Sequence, residues 1–269
     1  MPTPLSAAES HPGWRQAWYE AWSGTWNFSR SDAGPVDHAG NSAFDQSGLS
    51  AGSVVALVGL AFEARIAAGP GVVVICRGGD GRAGEMLPAA VRGGCSSIIS
   101  FGVAGGLAPD LKPGDCIVAS AIVDYPTLRP TDPLWSGKLL EMIPDAHHGP
   151  IVGVNAVMSN PRDKRRLAEL TGAAAVDMES HLVARLAASH GLSFAAIRVV
   201  IDPADRIVPP AALLAMASDG VADVSAMLWE ILLRPSQLAA LMRIAADAYA
   251  ARNALLRLRC VLGPDFRCG

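Results

Sequence analysis

The chain is short of charge and of aromatic rings: 17% of its residues are charged and 6% are Phe, Trp or Tyr. A formal net charge of −3 supplies no basic surface for a phosphate backbone, which argues against nucleic acid as a partner. No block of like charge stands out as an interaction tail. The five cysteines (Cys76, Cys95, Cys116, Cys260, Cys268) form no CxxC pair and match no zinc spacing, so no metal or cofactor is expected. Three lie in or beside apolar runs, where reduced Cys behaves as a small hydrophobe, and a reducing cytoplasm is the economical setting. The first thirty or so residues lack an apolar h-region, so no signal peptide is expected. No run of about eighteen apolar residues exists, so no membrane span is expected, although looser contact with a bilayer stays open. A P-loop is excluded because no Gly-Lys-Ser/Thr occurs.

What is abundant is aliphatic bulk. Half of the 269 residues (51%) are hydrophobic, enough for one large α/β domain or two small ones. Residues 1–50 differ from the rest, being rich in Ser, Gly, Pro and Asp. They carry Trp14, Trp18, Trp22 and Trp26, each about one helical turn beyond the last. Such a stripe fits either a short helix docking on a membrane interface or partner, or one packed on its own domain. The segment's scarcity of positive charge argues against anionic lipid. Residues 51–269 are expected to form the catalytic domain, with a helical C-terminus.

From residue 53 short apolar runs alternate with helical patterns. Strands are predicted at 54–58, 72–76, 97–101, 115–120, 151–154, 173–176 and 194–200, and helices at 83–92, 161–170, 178–190, 211–233 and 235–259. The alternation predicts a three-layer αβα fold around a central mixed, mostly parallel sheet. Gly102-Val-Ala-Gly-Gly106 reads as a glycine turn after a strand, where backbone N–H groups can approach a ligand. It is not the dinucleotide fingerprint, because Pro109 and Pro113 follow instead of a helix.

Two acids end apolar segments: Glu179 in Ala175-Val-Asp-Met-Glu-Ser180, and Asp202 in Arg198-Val-Val-Ile-Asp-Pro203. Ligands of open α/β sheets sit beyond the carboxyl ends of strands, so both are candidates for chemistry. Equally, Glu179 could cap the next helix and Asp202 could open a turn before Pro203.

Taken in order, Ser100-Phe-Gly-Val-Ala-Gly-Gly-Leu107 with Lys112-Pro-Gly-Asp115, the Met178-Glu179 motif and Arg198 to Asp205 resemble the nucleoside phosphorylase and nucleosidase superfamily. That superfamily includes purine nucleoside phosphorylases and methylthioadenosine/S-adenosylhomocysteine nucleosidases. Gly59-Leu-Ala-Phe-Glu-Ala-Arg65, Arg77-Gly-Gly-Asp80 and the tail from Leu233 look most like the hopanoid-associated phosphorylases. The resemblance implies release of adenine from adenosylhopane, a lipid-linked purine nucleoside. A general methylthioadenosine/S-adenosylhomocysteine nucleosidase or purine nucleoside phosphorylase is the alternative. It implies that Glu179 binds the ribose hydroxyls, Met178 packs on the sugar, and Asp202 acts at the purine N7. Glu63 would orient or activate the attacking water or contact the sugar, about one residue out of alignment. Gly102, Val103, Gly105, Gly106 and Val157 would line the substrate site. A homo-oligomer is also implied.

Chemistry agrees with those roles. Breaking an N-glycosidic bond leaves positive charge on the sugar and negative charge on the base, so acid help at the base favours the transition state. The apolar Val199-Val200-Ile201 should raise the pKa of Asp202. Two departures stand out, since family members often carry hydroxyls at the positions of Val103 and Ile201. Their loss motivates a different class of reading, a non-catalytic nucleoside- or lipid-binding module. A phosphorylase would need phosphate ligands, for which Arg65, Arg77, Arg82 and Arg129 are available; water is the favoured nucleophile. His147 and His148 read as loop residues, His181 as a helix residue, and Asp205 with Arg206 as a local pair or the mouth of a pocket.

Overall fold

The computed structural model describes residues 54–77, 83–209, 238–263 and 265–266. The Trp stripe, the glycine-rich 78–82 and the helix expected at 211–233 lie outside the described residues. In chain order the elements are β1 Val54–Val58, α1 Ala61–Ala67, β2 Val72–Cys76, α2 Ala83–Arg92, β3 Ser97–Gly106, β4 Cys116–Asp124 and β5 Thr127–Pro130. There follow α3 Pro133–Met142, β6 His147–Gly153, α4 Pro161–Thr171, β7 Ala175–Asp177, α5 Ser180–His190, β8 Ser193–Asp202 and α6 Leu238–Leu262.

The mixed α/β architecture expected from the sequence is present. The strand order is β2-β1-β3-β7-β6-β4-β5, and β8 pairs with both β3 and β4. Five of these pairings are parallel (β1–β2, β1–β3, β3–β8, β4–β6, β6–β7). Only β3–β7, β4–β5 and β4–β8 are antiparallel. Together β3, β8, β4, β6 and β7 therefore close a ring of five strands. Parallel strands buried on both faces read as continuous Val/Ile/Ala runs, which is why the sequence betrayed them.

Side-chain parity separates two cores. Val54, Ala56, Phe101, Ile197 and Val199 face α1, α3 and α6, whereas Val55, Leu57, Ile98, Ala196 and Val200 face α2 and α5. Burying each of the Val, Leu, Ile and Phe side chains is worth roughly 1.5–3 kcal/mol, enough in aggregate to carry a few costly polar residues inside. Local signals set the helix ends. Asn160 caps α4 by accepting from Arg162 N at 2.9 Å, Pro161 follows at the first helical position, and Gly172 closes the helix at φ 65°.

Three sequence readings need correcting. The glycine run 102–106 is not a turn but the second half of β3, paired with β8 up to a bulge at Ala104/Gly105. His147 and His148 begin β6 instead of occupying a loop. The pair β5 and α3 was not foreseen, although Asp132-Pro133 is a helix-start signature and the Asp132 carboxylate does accept from Leu134 N and Trp135 N.

Candidate functional site

The second half of β3 is the floor of the site. Gly102 pairs with Arg198 of β8, and beyond the bulge Gly105 pairs with Asp202. Three residues of strand separate these two levels, roughly 10 Å. Because β7 runs antiparallel to β3, with Gly105 opposite Val176, the chain leaving β7 doubles back and carries Met178 and Glu179 toward Gly102. The site thus gathers at the carboxyl ends of β1, β2, β7 and β8, the end where ligands of parallel α/β sheets bind.

At the Gly102 level four charged groups meet. Glu63, third residue of α1, is 1% exposed. Its carboxylate accepts from Gly59 N and Leu60 N at 2.8 Å each and from Val103 N at 2.7 Å. Arg198 is wholly buried and lies 2.6 Å from Asp177 and 3.5 Å from Glu179. Its Nη2 also donates to Ser100 Oγ at 2.7 Å and to Ser180 Oγ at 3.3 Å. Its Nε and Nη1 are buried without a hydrogen-bond partner. A Cβ on Gly102 would sit 2.6 Å from Arg198 Nη1 and closer still to Glu63 Oε1, and its φ of +154° is uncongenial to other residues. Gly59 is needed for a related reason, since a Cβ there would meet Glu179 Oε1 at 2.9 Å.

Glu179 occupies the cap position of α5 yet makes no capping bond; Asp177 accepts from Ser180 N instead. Of the two readings open from the sequence, the cap is the one the geometry removes. Burial pushes the Glu179 carboxyl up to about 7, with Arg198 opposing and Asp177 and Glu63 adding to the rise. Burial likewise raises Glu63, against the pull of Arg198 and its three amides. Burial alone would lower Arg198, but the carboxylates of Asp177, Glu179 and Glu63 more than offset it and hold it above the usual range.

This predicts a trade between stability and binding. A raised folded-state pKa means the native protein holds its proton more tightly than the unfolded chain, so Glu179 erodes stability as pH rises from the ordinary carboxyl range through about 7. Glu179→Gln is therefore expected to gain about 2 kcal/mol at pH 8 and nothing at pH 4, while losing at least about tenfold in kcat/KM. Thermal melts at both pH values, with a nucleosidase assay, check this. A variant less stable at pH 8 than the parent would mean that the Arg198 ion pair dominates.

At the Gly105 level, Asp202 ends β8 with its carboxyl oxygens 3.4 and 3.5 Å from where a Gly105 Cβ would lie. The ammonium of Lys164 from α4 binds Asp202 Oδ2 closely. Burial raises the Asp202 carboxyl, opposed by Lys164 and Arg206 and assisted by Asp247. Arg206 pairs not with its neighbour Asp205 but with Asp247 of α6, at 2.9 Å, so the expected local pair is corrected.

The remaining candidates fall into place around this floor. Met178 is half-buried against the cluster of Leu107, Val152 and Val176. Gly106 packs toward Val200 and Pro203, and Val157 is half-buried in the loop between β6 and α4. Arg77 donates to Met178 O at 2.6 Å and lies 3.6 Å from Glu179. Arg65 is exposed, Arg129 pairs with Asp124, and Arg82 lies outside the described residues. His181 is buried on α5 against Gly153, its Nε2 3.2 Å from Asn155 Oδ1. Sequence reasoning missed Lys164, Asp177, Ser180 and Arg198 as site residues. A cavity of about 470 Å³ lined by Ser97, Asp132 and Ser193 opens at the other end of β3 and β8, and belongs to neither level. Among the described residues no His/Cys/Asp/Glu group could hold a metal ion, and no helix is long and apolar enough to cross a membrane.

The sequence model of the family described as "Phosphorylase superfamily" matches residues 59–233. This chain belongs to the phosphorylase superfamily. Glu63, Gly102, Glu179, Arg198 and Asp202 all fall inside the superfamily match, whereas α6, which brings Asp247, lies beyond it. The 5′-methylthioadenosine/S-adenosylhomocysteine nucleosidase of Mycobacterium tuberculosis is 26% identical over 176 residues, covering 48% of this chain and 69% of that protein. Among solved structures, a Helicobacter pylori nucleosidase of that name, an Asp→Asn mutant with 5′-methylthioadenosine in its active site, aligns with a TM-score of 0.53 at 16% identity. The alignment covers 78% of this chain and 98% of that one. Futalosine hydrolase of the same organism aligns equally, at 0.53 and 16%, over 78% and 97% of the two chains. At such identities the likeness establishes the superfamily fold.

Proposed function

We propose that this chain hydrolyses the N-glycosidic bond of a purine nucleoside. The carrying observation is the two-level floor of β3, with one acid over Gly105 and a Glu63–Glu179–Arg198 cluster over Gly102. In this reading Glu179 binds the ribose hydroxyls and Met178 packs on the sugar. Glu63 takes a proton from a water lying beside the unpartnered Arg198 Nη1. The water oxygen bonds to C1′ as the C1′–N9 bond breaks, and the Asp202 proton passes to N7, so that neutral adenine leaves. Both acids have raised affinities for protons, which suits Asp202 as donor, while the three amides on Glu63 keep its carboxylate accessible.

Water is favoured over phosphate by what already fills the anion-binding position. The amides of Gly59, Leu60 and Val103 converge on the Glu63 carboxylate, which takes the place an external anion would occupy. Three of its roughly four acceptor sites are used, leaving one for water. Arg77 is already engaged by Met178 O and Glu179. For substrate, the motifs at 59–65 and 77–80 support adenosylhopane, and the mycobacterial relative supports a thioether nucleoside; of the two nucleosides in that relative's name, methylthioadenosine shares an apolar 5′ substituent with adenosylhopane.

The deciding experiment supplies adenosine, methylthioadenosine or adenosylhopane, with and without phosphate, and identifies both products. Adenine release at a phosphate-independent rate, with a free ribosyl product, is expected. A ribose 1-phosphate product would overturn hydrolysis. Ligand-induced stabilisation without base release from any of the three would favour the non-catalytic module.

A further inference from the structure

The chain contains three lysines, Lys112, Lys138 and Lys164. Lys164 sits in the run Arg162-Asp-Lys-Arg-Arg166, which reads as a solvated helix face, and its arginines are indeed exposed. Lys164 alone turns inward and is 0% exposed. Burying an ammonium costs several kcal/mol unless its donors are met. Here all three are: Nζ binds Asp202 Oδ2, Asp202 O at 3.2 Å and Pro203 O at 2.8 Å. Ile201, next to the acid on β8, and Val103, opposite Val199 on β3, offer no hydroxyl. Among the described residues, no other side chain is recorded hydrogen-bonding the Asp202 carboxyl.

We propose that Lys164 is a positioning residue for the reaction: it holds Oδ2 so that Oδ1 faces the base, and it compensates the charge left on Asp202 when the proton passes to N7. The inference rests on the nucleosidase reading above. No proton leaves Lys164; the ammonium keeps its three hydrogens while Asp202 goes from acid to carboxylate and N7 gains the proton. The ammonium binds the carboxylate more strongly than the neutral acid, so its advantage grows along the reaction. The charged groups that face Asp202 are Lys164 from α4, Arg206 from the segment after β8 and Asp247 from α6.

The test compares Lys164→Met and Lys164→Gln with the parent chain by kcat, KM, thermal melting and the pH profile of kcat. Asp202 works protonated, so kcat falls on the alkaline side as it ionises. Without the ammonium Asp202 holds its proton to higher pH and is a weaker acid. Expected are a kcat loss of about tenfold or more, KM within about threefold, and an alkaline limb moved up by at least about one pH unit. Adding Lys164→Met to Asp202→Asn should cost little more than Asp202→Asn alone, because the ammonium acts through that carboxyl. An unmoved alkaline limb, a loss carried by KM, or additive losses would overturn the proposal. Failure of both variants to fold would also do so, by assigning Lys164 to the fold alone. Asp202→Asn separates the two ideas: if it retains activity, the nucleosidase site itself is wrong. If it is inactive while Lys164→Met behaves as the parent, only the role of Lys164 is lost.

Discussion

Asp202→Asn is expected to lower turnover at least about a hundredfold while leaving KM within a few-fold of the parent. The amide keeps the size of the carboxyl and an oxygen for Lys164, so the pocket over Gly105 retains its shape. What it loses is the transferable proton. The leaving base must then depart as an anion or find a proton from solvent, in a position where the acid's raised proton affinity had kept one ready. Stability should fall only about 1–2 kcal/mol, because Lys164 keeps its two carbonyl acceptors and the amide oxygen replaces that of a neutral acid. Adenine release followed by absorbance, beside a thermal melt, reads both quantities. Near-parental adenine release from a folded Asp202→Asn protein would falsify the assignment.

The same residue illustrates how far the sequence could be read. Asp202 was visible because it ends a run of apolar strand residues, and Glu179 because it follows another; burial on both faces of a sheet writes itself into sequence as such runs. The strand sequence and the αβα layering followed from the same signal. Gly102 to Gly106 misled because glycine usually marks a turn, whereas here the missing side chains make room for Glu63 and Arg198 above a continuous strand. Lys164 was hidden in a run of four cations whose spacing says surface; only the packing of α4 on the end of β8 selects which one turns inward. Arg206 and Asp247 stand forty-one positions apart, and local pattern cannot report a pairing that depends on where α6 docks. Long-range charge pairing was thus the illegible part, and it is what gives the site its electrostatics.

Arg198 is the extreme case, and its removal carries the largest expected cost to the fold. It sits in the middle of a strand whose neighbours, Ile197, Val199 and Val200, are all fully buried, and it is itself 0% exposed. A guanidinium there is tolerated because Asp177 at 2.6 Å, Glu179 at 3.5 Å and the hydroxyls of Ser100 and Ser180 surround it. Arg198→Met fills much of the volume but strands Asp177 and Glu179, with Glu63 beside them, without their buried cation. Breaking a buried pair by deleting one partner costs about 3–5 kcal/mol, which at roughly 2–4 °C per kcal/mol lowers Tm by about 6–20 °C. The loss should depend on pH in a definite direction. With Arg198 gone, burial raises the proton affinity of Glu63 and Glu179 still further above the unfolded value, so the folded variant binds more protons than the unfolded chain. Its stability must then fall as pH rises above the ordinary carboxyl range, and the deficit against the parent should be small near pH 4 and large at pH 8. Melting curves of parent and variant across that range measure the difference. Adding Asp177→Asn to Arg198→Met should restore part of the loss at pH 8, since it removes the carboxylate that lay 2.6 Å from the lost guanidinium, and a deficit that is flat with pH would show that lost packing, not lost charge compensation, is the cost of removing Arg198.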